Sequence, residues 1–505
     1  MRPEEFGAIS GNLNPTFDSG PALNEFFAHC ATHRVNDADI SGDWYTRRPI
    51  VIGGAERAAE TRAYRCGWCC ITAFGGFSGP VVTIKNSPNT IFTGHLQVKG
   101  GRKSGGPPLP DASRWQDRAN SEAIVVGDGC SSPHFDMVNC QHAVRDGFRH
   151  TPPACNGVVS ILKCHDCGVS GRDASNKVTS TITAAVNLNE AIHKNNPNQL
   201  AELTFDQIPS ALNDEDYALI GGNIHAVMQV DPTANKVKVY PWVTITTNPP
   251  MEGQTVEWII GGGLVESVGD TSGWRFDQVY GVRVAATLKT RAHYPGSYGV
   301  CSAASAYANV VIGHPPNDYC FGGNIDVLYT EDGVPIKVLV TTTTDRGFEF
   351  NISSTGPSLD LNRWHLLFFN EGKGQRLVRM PITAHVNGHI YGPVEGVGNV
   401  LGGEVSLRPV PSVVLTGESD SYTVNLKATP GAADKFGLNS LLIHAFSDKH
   451  PPGRAPQGTW KFNPEPGFTV NNKAEDEFTG FTKPGFFVCI LDRTSKNWFV
   501  YDANR

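Results

Sequence analysis

No stretch of the chain reaches the ~18 uninterrupted apolar residues that a membrane helix requires, so a helical span is excluded. The opening MRPEEFGAISGN lacks the apolar core of a secretory leader, and the expectation is a protein made without one. Long basic runs are missing too. With 42 Lys and Arg against 49 Asp and Glu, the net charge of −7 argues against nucleic acid as the main partner. Walker loops, nucleophile elbows, His-Glu-x-x-His and EF-hand sequences do not occur, which removes the nucleotide, hydrolase and metal chemistries they carry. Helical periodicity is scarce. It is clearest over residues 21–35, where Leu23, Phe26, Phe27 and Cys30 share one face and Asp18 or Ser19 can cap the start.

What the chain has is glycine (54) and proline (34) set between short apolar runs. Ile50–Ile52, Val81–Lys85, Ile91–His95, Ile124–Gly127 and Val158–Lys163 are strand-sized. Asp-Gly and Asn-containing breaks separate them at intervals of roughly 20 to 30 residues, the coil period of a β-solenoid. Such rungs stack in parallel and bury inward Val, Ile and Cys. The pattern divides the chain into a cap with a possible attachment role at 1–45, a first solenoid part at 46–180, an inserted module at 181–256 and a second solenoid part at 257–385. The insert reads as short helical pieces at 187–193 and 198–202, followed by a hairpin turning at Asp231–Asn235. Residues 386–505 alternate more cleanly, which predicts an antiparallel β-sandwich-like domain serving trimerisation or receptor binding.

The 12 cysteines are expected as reduced, buried thiols on successive coils. Cys66-x-x-Cys69 with Cys164-x-x-Cys167 offers the alternative of a four-thiolate zinc site. The expectation is no metal and no cofactor.

Residues 4–30, with Glu5-Phe6-Gly7-Ala8, then Asp18-Ser19-Gly20 and the helix, resemble the opening of pectate-lyase-like β-helix proteins and of phage tail spikes. Glu5 stands where those proteins usually carry Asp. Gly42-Asp-Trp-Tyr45 before Ile50–Ile52 resembles the strand pair that follows. Val237–Val243, Trp258–Leu264 and Gly269-Asp270 resemble tail proteins of podophage-like viruses. The resemblance implies an all-β, right-handed parallel β-helix in a phage tail spike or tail fibre. It further implies a homotrimer that adsorbs to a bacterial surface glycan alongside other tail proteins, located in the virion and released by lysis. No membrane insertion is implied. A free polysaccharide lyase or glycoside hydrolase, and a purely structural tail protein, are the alternatives.

Whether such a protein also depolymerises its glycan turns on paired carboxylates. Retaining chemistry needs them ~5–5.5 Å apart and inverting chemistry ~6.5–9.5 Å, and coils ~4.8 Å apart can supply either. Candidate acids are Asp146, Asp166, Asp173, Glu266, Asp270 and Asp277, with Asp128 and Asp136 in the wider set. Asp-Gly positions such as Asp128 and Asp146 are equally turn residues. Asp166, read as mid-strand between two cysteines, is harder to explain that way. Candidate substrate-binding residues are Arg149, His150, His165, Trp242, Trp258, Trp274, Arg275 and Tyr280. Aromatic rings stack on the apolar faces of sugars when exposed, and serve the core or an interface when they are not.

Overall fold

The computed structural model describes residues 1–11, 13, 17–54, 62–73, 77, 79–100, 122–168, 178–188, 200–220, 223–240, 251–314, 320–331, 334, 336–341 and 348–355, and separate segments between 364 and 502. Asp173 and Trp242 lie outside the described residues.

The trunk is a parallel β-solenoid. Each coil gives one strand to a long first sheet and one to a nine-stranded second sheet. In the first sheet Arg62–Ala73, Thr90–Lys99, His134–Gln141, Val158–His165, Arg275–Val282, Ser297–Ala304 and Phe321–Thr330 pair in parallel. The second sheet runs from Ile50–Ile52 through Phe148–His150 and Leu264–Gly269 to Trp364–Phe368. The register explains the choice of residues. Tyr64, Phe92, Phe135, Val159, Phe276, Tyr298 and Ile325 succeed one another up the inside of the first sheet, all buried. The rings of Phe92 and Phe135 stack 4.9 Å apart and 2° from parallel. Identical rungs place like side chains above like, so one apolar row is buried continuously.

The strands of the first sheet do not alternate throughout. His134–Gln141, Val158–His165 and Arg275–Val282 each have two successive outward residues at the third and fourth positions, Asp136-Met137, Ser160-Ile161 and Asp277-Gln278. Two adjacent outward side chains require the strand to bend, because a flat strand alternates. The first sheet is therefore creased along a line crossing successive coils.

The helix Gly20–Thr32 closes the N-terminal end, burying Leu23, Phe26, Phe27 and Cys30. Asp18 Oδ1 accepts the Gly20 N–H at 3.0 Å. Asn24 ties the helix to the first coil, donating to Pro49 O at 3.0 Å and accepting the Val51 N–H at 2.8 Å.

Between Val158–His165 and Leu264–Gly269 the chain leaves the coil and forms a closed antiparallel barrel. Its strands are Thr179–Leu188, Leu200–Phe205, Tyr217–Ile220, Asn223–Asp231, Lys236–Tyr240 and Thr255–Ile259. The hairpin turns at 232–235, with Asp231 opposite Lys236. The helical readings at 187–193 and 198–202 are corrected where the structure describes them. Asn187 and Leu188 end one strand, and Leu200–Phe205 is another, paired antiparallel with it with one bulge between Ile182 and Ala184. Burial of Leu203 and Phe205 against the barrel core outweighs the local helical preference of Leu-Ala-Glu.

Parallel pairing reaches Arg376–Met380, and Val394–Gly398 then runs antiparallel to it. Beyond that the pairing is mixed. Glu404–Leu407, Tyr422–Leu426 and Trp460–Pro464 pair in parallel, while Ser440–Ala445, Gly485–Asp492 and Asn497–Asp502 pair antiparallel. A purely antiparallel sandwich is not what these strands build. They share a core of Tyr422, Trp460, Phe462, Phe487 and Trp498, separate from that of the trunk.

Eleven cysteines are buried and Cys155 is half-buried. The Cys66–Cys69 pair sits three rungs from the Cys164–Cys167 pair, about 14 Å at 4.8 Å per rung, so the four thiols do not converge. Burial, with Asp39 and Asp136 adding to it, pushes the Cys66 thiol up to about 12, which keeps it protonated.

Candidate functional site

The crease carries an ordered row of polar side chains. Asp136, Ser160, Asp277 and Asp326 occupy the same position in four of five successive coils, with Gly299 standing there in the fourth. The carboxylates thus recur at every second rung, about 9.6 Å apart. Each is held by the outward residue two places earlier. His134 Nε2 lies 3.2 Å from Asp136, Arg275 Nε donates to Asp277 at 2.7 Å, and Asn324 Nδ2 donates to Asp326 at 2.8 Å. A second row, on the far side of the crease, runs Gln97, Asn139, Lys163, Tyr280, Ser302 and Tyr329, of which Gln97 and Ser302 are buried. Tyr280 donates to Gln278 at 3.0 Å, and Tyr329 is 42% exposed.

Towards the N-terminal end the crease widens. Two residues separate the inward Phe135 and Val138, three separate Phe92 and Leu96, and four separate Tyr64 and Cys69, the buried Cys66 among them, with register shifts at each step. These bulges turn Trp68 and His95 outward, as bulges re-aim side chains. Trp68 is 48% exposed. Its indole N–H donates to Asp43 Oδ1 at 3.3 Å, and the His95 ring meets it edge-on at 4.5 Å and 89°. Burial, helped by Lys163, lowers the His95 pKa, so its ring is neutral at pH 7. Gly94 donates its N–H to Asp136 Oδ2 at 2.9 Å.

The other sequence candidates fall into three groups. First, His150 and Glu266 meet inside the solenoid, both fully buried, with Nε2 and Oε1 3.0 Å apart. The His150 ring stacks on Trp274 at 4.5 Å, and Glu266 Oε1 also accepts the Gly296 N–H at 3.2 Å. Burial would raise the Glu266 carboxyl; His150, Thr290 and Tyr298 overcome it and hold the pKa below its ordinary value. Second, Asp146 and Arg149 belong to a charged seam where the barrel docks on the outer face of the second sheet. Asp146 is fully buried and accepts from Arg149 Nε at 2.7 Å, and Arg149 also bonds Glu215 of the barrel. Arg145 pairs with Asp216 at 2.7 Å, Lys289 approaches the same carboxylate at 3.4 Å, and Arg291 reaches Glu215 at 3.1 Å. Burial acts against the charge on Asp216, but Arg145 and Lys289 prevail and keep it ionised. Around this seam Tyr217, Tyr240 and Ile259 pack on Ala286, Tyr307 and Val311.

Third come the surface pairs. Asp270 is exposed beside His293 at 3.1 Å. Asp166 is not mid-strand: it follows Val158–His165 in a left-handed turn, φ 54°, and accepts both Arg283 N–H groups at 2.6 and 2.7 Å. His165 faces outward just before it, and burial lowers its pKa. Trp258 and Trp274 present no ring face to solvent. Trp258 fills the barrel and donates to Ser180 at 2.7 Å; Trp274 donates to Ala154 O at 3.1 Å.

The structure thus brings Arg275, Asp277 and Tyr280 onto the creased outer surface and retires His150, Glu266, Trp258 and Trp274 to the interior. Sequence reading missed Trp68, His95 and Asp43. Their signal is the one extra residue that each bulge adds between register partners in these coils, visible once the rungs are aligned. Neither a scan against protein-family models nor a search of curated proteins finds a match to this chain.

Proposed function

We propose that the protein is a surface-recognition spike whose solenoid binds a bacterial polysaccharide along the crease of its first sheet. One observation carries this reading: an outward, in-register row that places carboxylates or a hydroxyl in four of five successive coils and ends at an exposed tryptophan. A repeating polymer suits a repeating lattice of acceptors and donors, since each sugar meets the same kind of partner. Membership in a phage tail, a right-handed winding and a homotrimeric assembly follow from the resemblance of residues 4–30 and 237–270 to tail proteins. The right hand is also the one that parallel crossovers adopt. The test is retention of purified O-antigens and capsular polysaccharides by the full chain, with Arg275→Ala and Tyr280→Ala weakening it at least fivefold. Retention of none, or retention unaffected by both variants, refutes the crease as the binding track. Sedimentation showing a stable monomer refutes the trimer.

Depolymerisation is a second reading, favoured by the carboxylate spacing. Two rungs, about 9.6 Å, stand just past the wide end of the separation used for inversion (~9.5 Å), within reach of a small side-chain inclination, and Asp277 has a carboxylate two rungs away on either side. Cleavage then releases new reducing ends from the bound polysaccharide, and Asp277→Asn abolishes it. Binding with no reducing ends leaves a recognition protein alone.

A further inference from the structure

We infer that the Trp68 end of the crease is a sugar-ring subsite that accepts neutral or amino sugars and rejects uronic acids. This rests on the crease being a glycan track, and adds where the anchoring contact lies and which sugars it admits.

The ring is presented and braced. Trp68 is 48% exposed, its N–H is tied to Asp43 at 3.3 Å, and His95 supports its edge at 4.5 Å. A ring fixed before the ligand arrives loses little freedom on stacking. The floor beside it is clear because a side chain is excluded there. Gly94 has φ +90°, and a Cβ on it would lie 2.1 Å from the Cys66 carbonyl oxygen. An indole face takes the C–H face of a pyranose and attracts a cation.

The walls decide which sugars enter. Asp43 and Asp136 line the approach from either side of Trp68 and His95. Asp136 engages the Gly94 N–H at 2.9 Å and His134 at 3.2 Å. Among the described residues neither carboxylate has a lysine or arginine partner within salt-bridge distance. An ionised carboxylate only accepts hydrogen bonds, so the ligand must donate through hydroxyl or ammonium groups. A uronate brings a third negative charge to this place; Lys163, the cation that acts on His95, does not balance the two carboxylates already there, so the uronate is repelled.

The experiment is an array of bacterial O-antigen and capsular glycans, sorted into uronate-containing and uronate-free, probed with the full chain. Trp68→Ala, Trp68→Phe and the pair Asp43→Asn with Asp136→Asn are run beside it. The retained glycans are expected to be uronate-free. Trp68→Ala weakens half-saturation at least tenfold and Trp68→Phe by no more than threefold. The double Asn variant narrows the discrimination against uronates. Unchanged melting of Trp68→Ala confirms that the exposed ring is not needed for folding. Equal or better retention of uronate glycans overturns the selectivity. Retention indifferent to Trp68→Ala overturns the subsite while leaving the track in place, and an array that retains nothing overturns both.

Discussion

His150 Nε2 stands 3.0 Å from Glu266 Oε1 in a row of inward side chains that reads Ile52, Ile84, Val126, His150, Glu266, Thr290 and Ile312 up the second sheet. An ionisable pair replaces two aliphatic rungs where no solvent reaches. Because the Glu266 pKa is held below its unfolded value, its contribution is present above an ordinary carboxylate pKa of about 4.3 and is lost as pH falls through the folded value. Glu266→Gln is therefore expected to flatten the acid limb of the stability profile below about pH 4.3, measured by urea unfolding across pH. An acid limb as steep as that of the parent chain refutes the assignment.

Glu122 titrates in the opposite sense. Burial first, and Asp146 next, push it up to about 7 against Arg149 and Arg145. A carboxyl with a raised folded pKa costs stability progressively as pH rises from its unfolded value through 7. Glu122→Gln is expected to stabilise the chain more at pH 8 than at pH 5. The same gain at both pH values removes Glu122 from the seam's titration.

The seam itself is tested at Asp216. Its loss leaves Arg145 and Lys289 buried together without their shared carboxylate, and breaking such a pair typically costs roughly 3–5 kcal/mol. Asp216→Ala should lower the first unfolding transition and speed proteolysis within 178–260. A variant with parental unfolding and cleavage would show that apolar packing alone seats the barrel.

Gly94→Ala forces a side chain into a left-handed residue against backbone, at a cost of about 1–3 kcal/mol. The melting temperature should drop and glycan retention with it, because Trp68 and His95 lean on the same bulge. Parental melting would mean the bulge relaxes.

Much of the trunk was legible in the sequence. The apolar spacing of Leu23, Phe26, Phe27 and Cys30 marked the cap, and short Ile and Val runs between turns marked the rungs. What misled was alternation. In a solenoid whose outer face is wet, parallel strands alternate as antiparallel ones do, so Tyr422–Leu426 and Trp460–Pro464 read as a sandwich although they pair in parallel. The site was less legible. Aromatic density picked Trp258 and Trp274, both core residues, because composition does not tell inside from outside. Trp68 was hidden for a different reason: its orientation comes from an extra residue in the bend, a property of aligned coils and not of any one segment.

The barrel departs from the trunk and returns to it with Ser180 and Val256 as direct cross-strand partners. The long excursion between them enters and exits through one narrow doorway, so the coil beneath closes over the same gap whatever hangs outside. Such a doorway lets the appendage be exchanged wholesale, altering what the outer surface presents while the stack of rungs keeps its pitch.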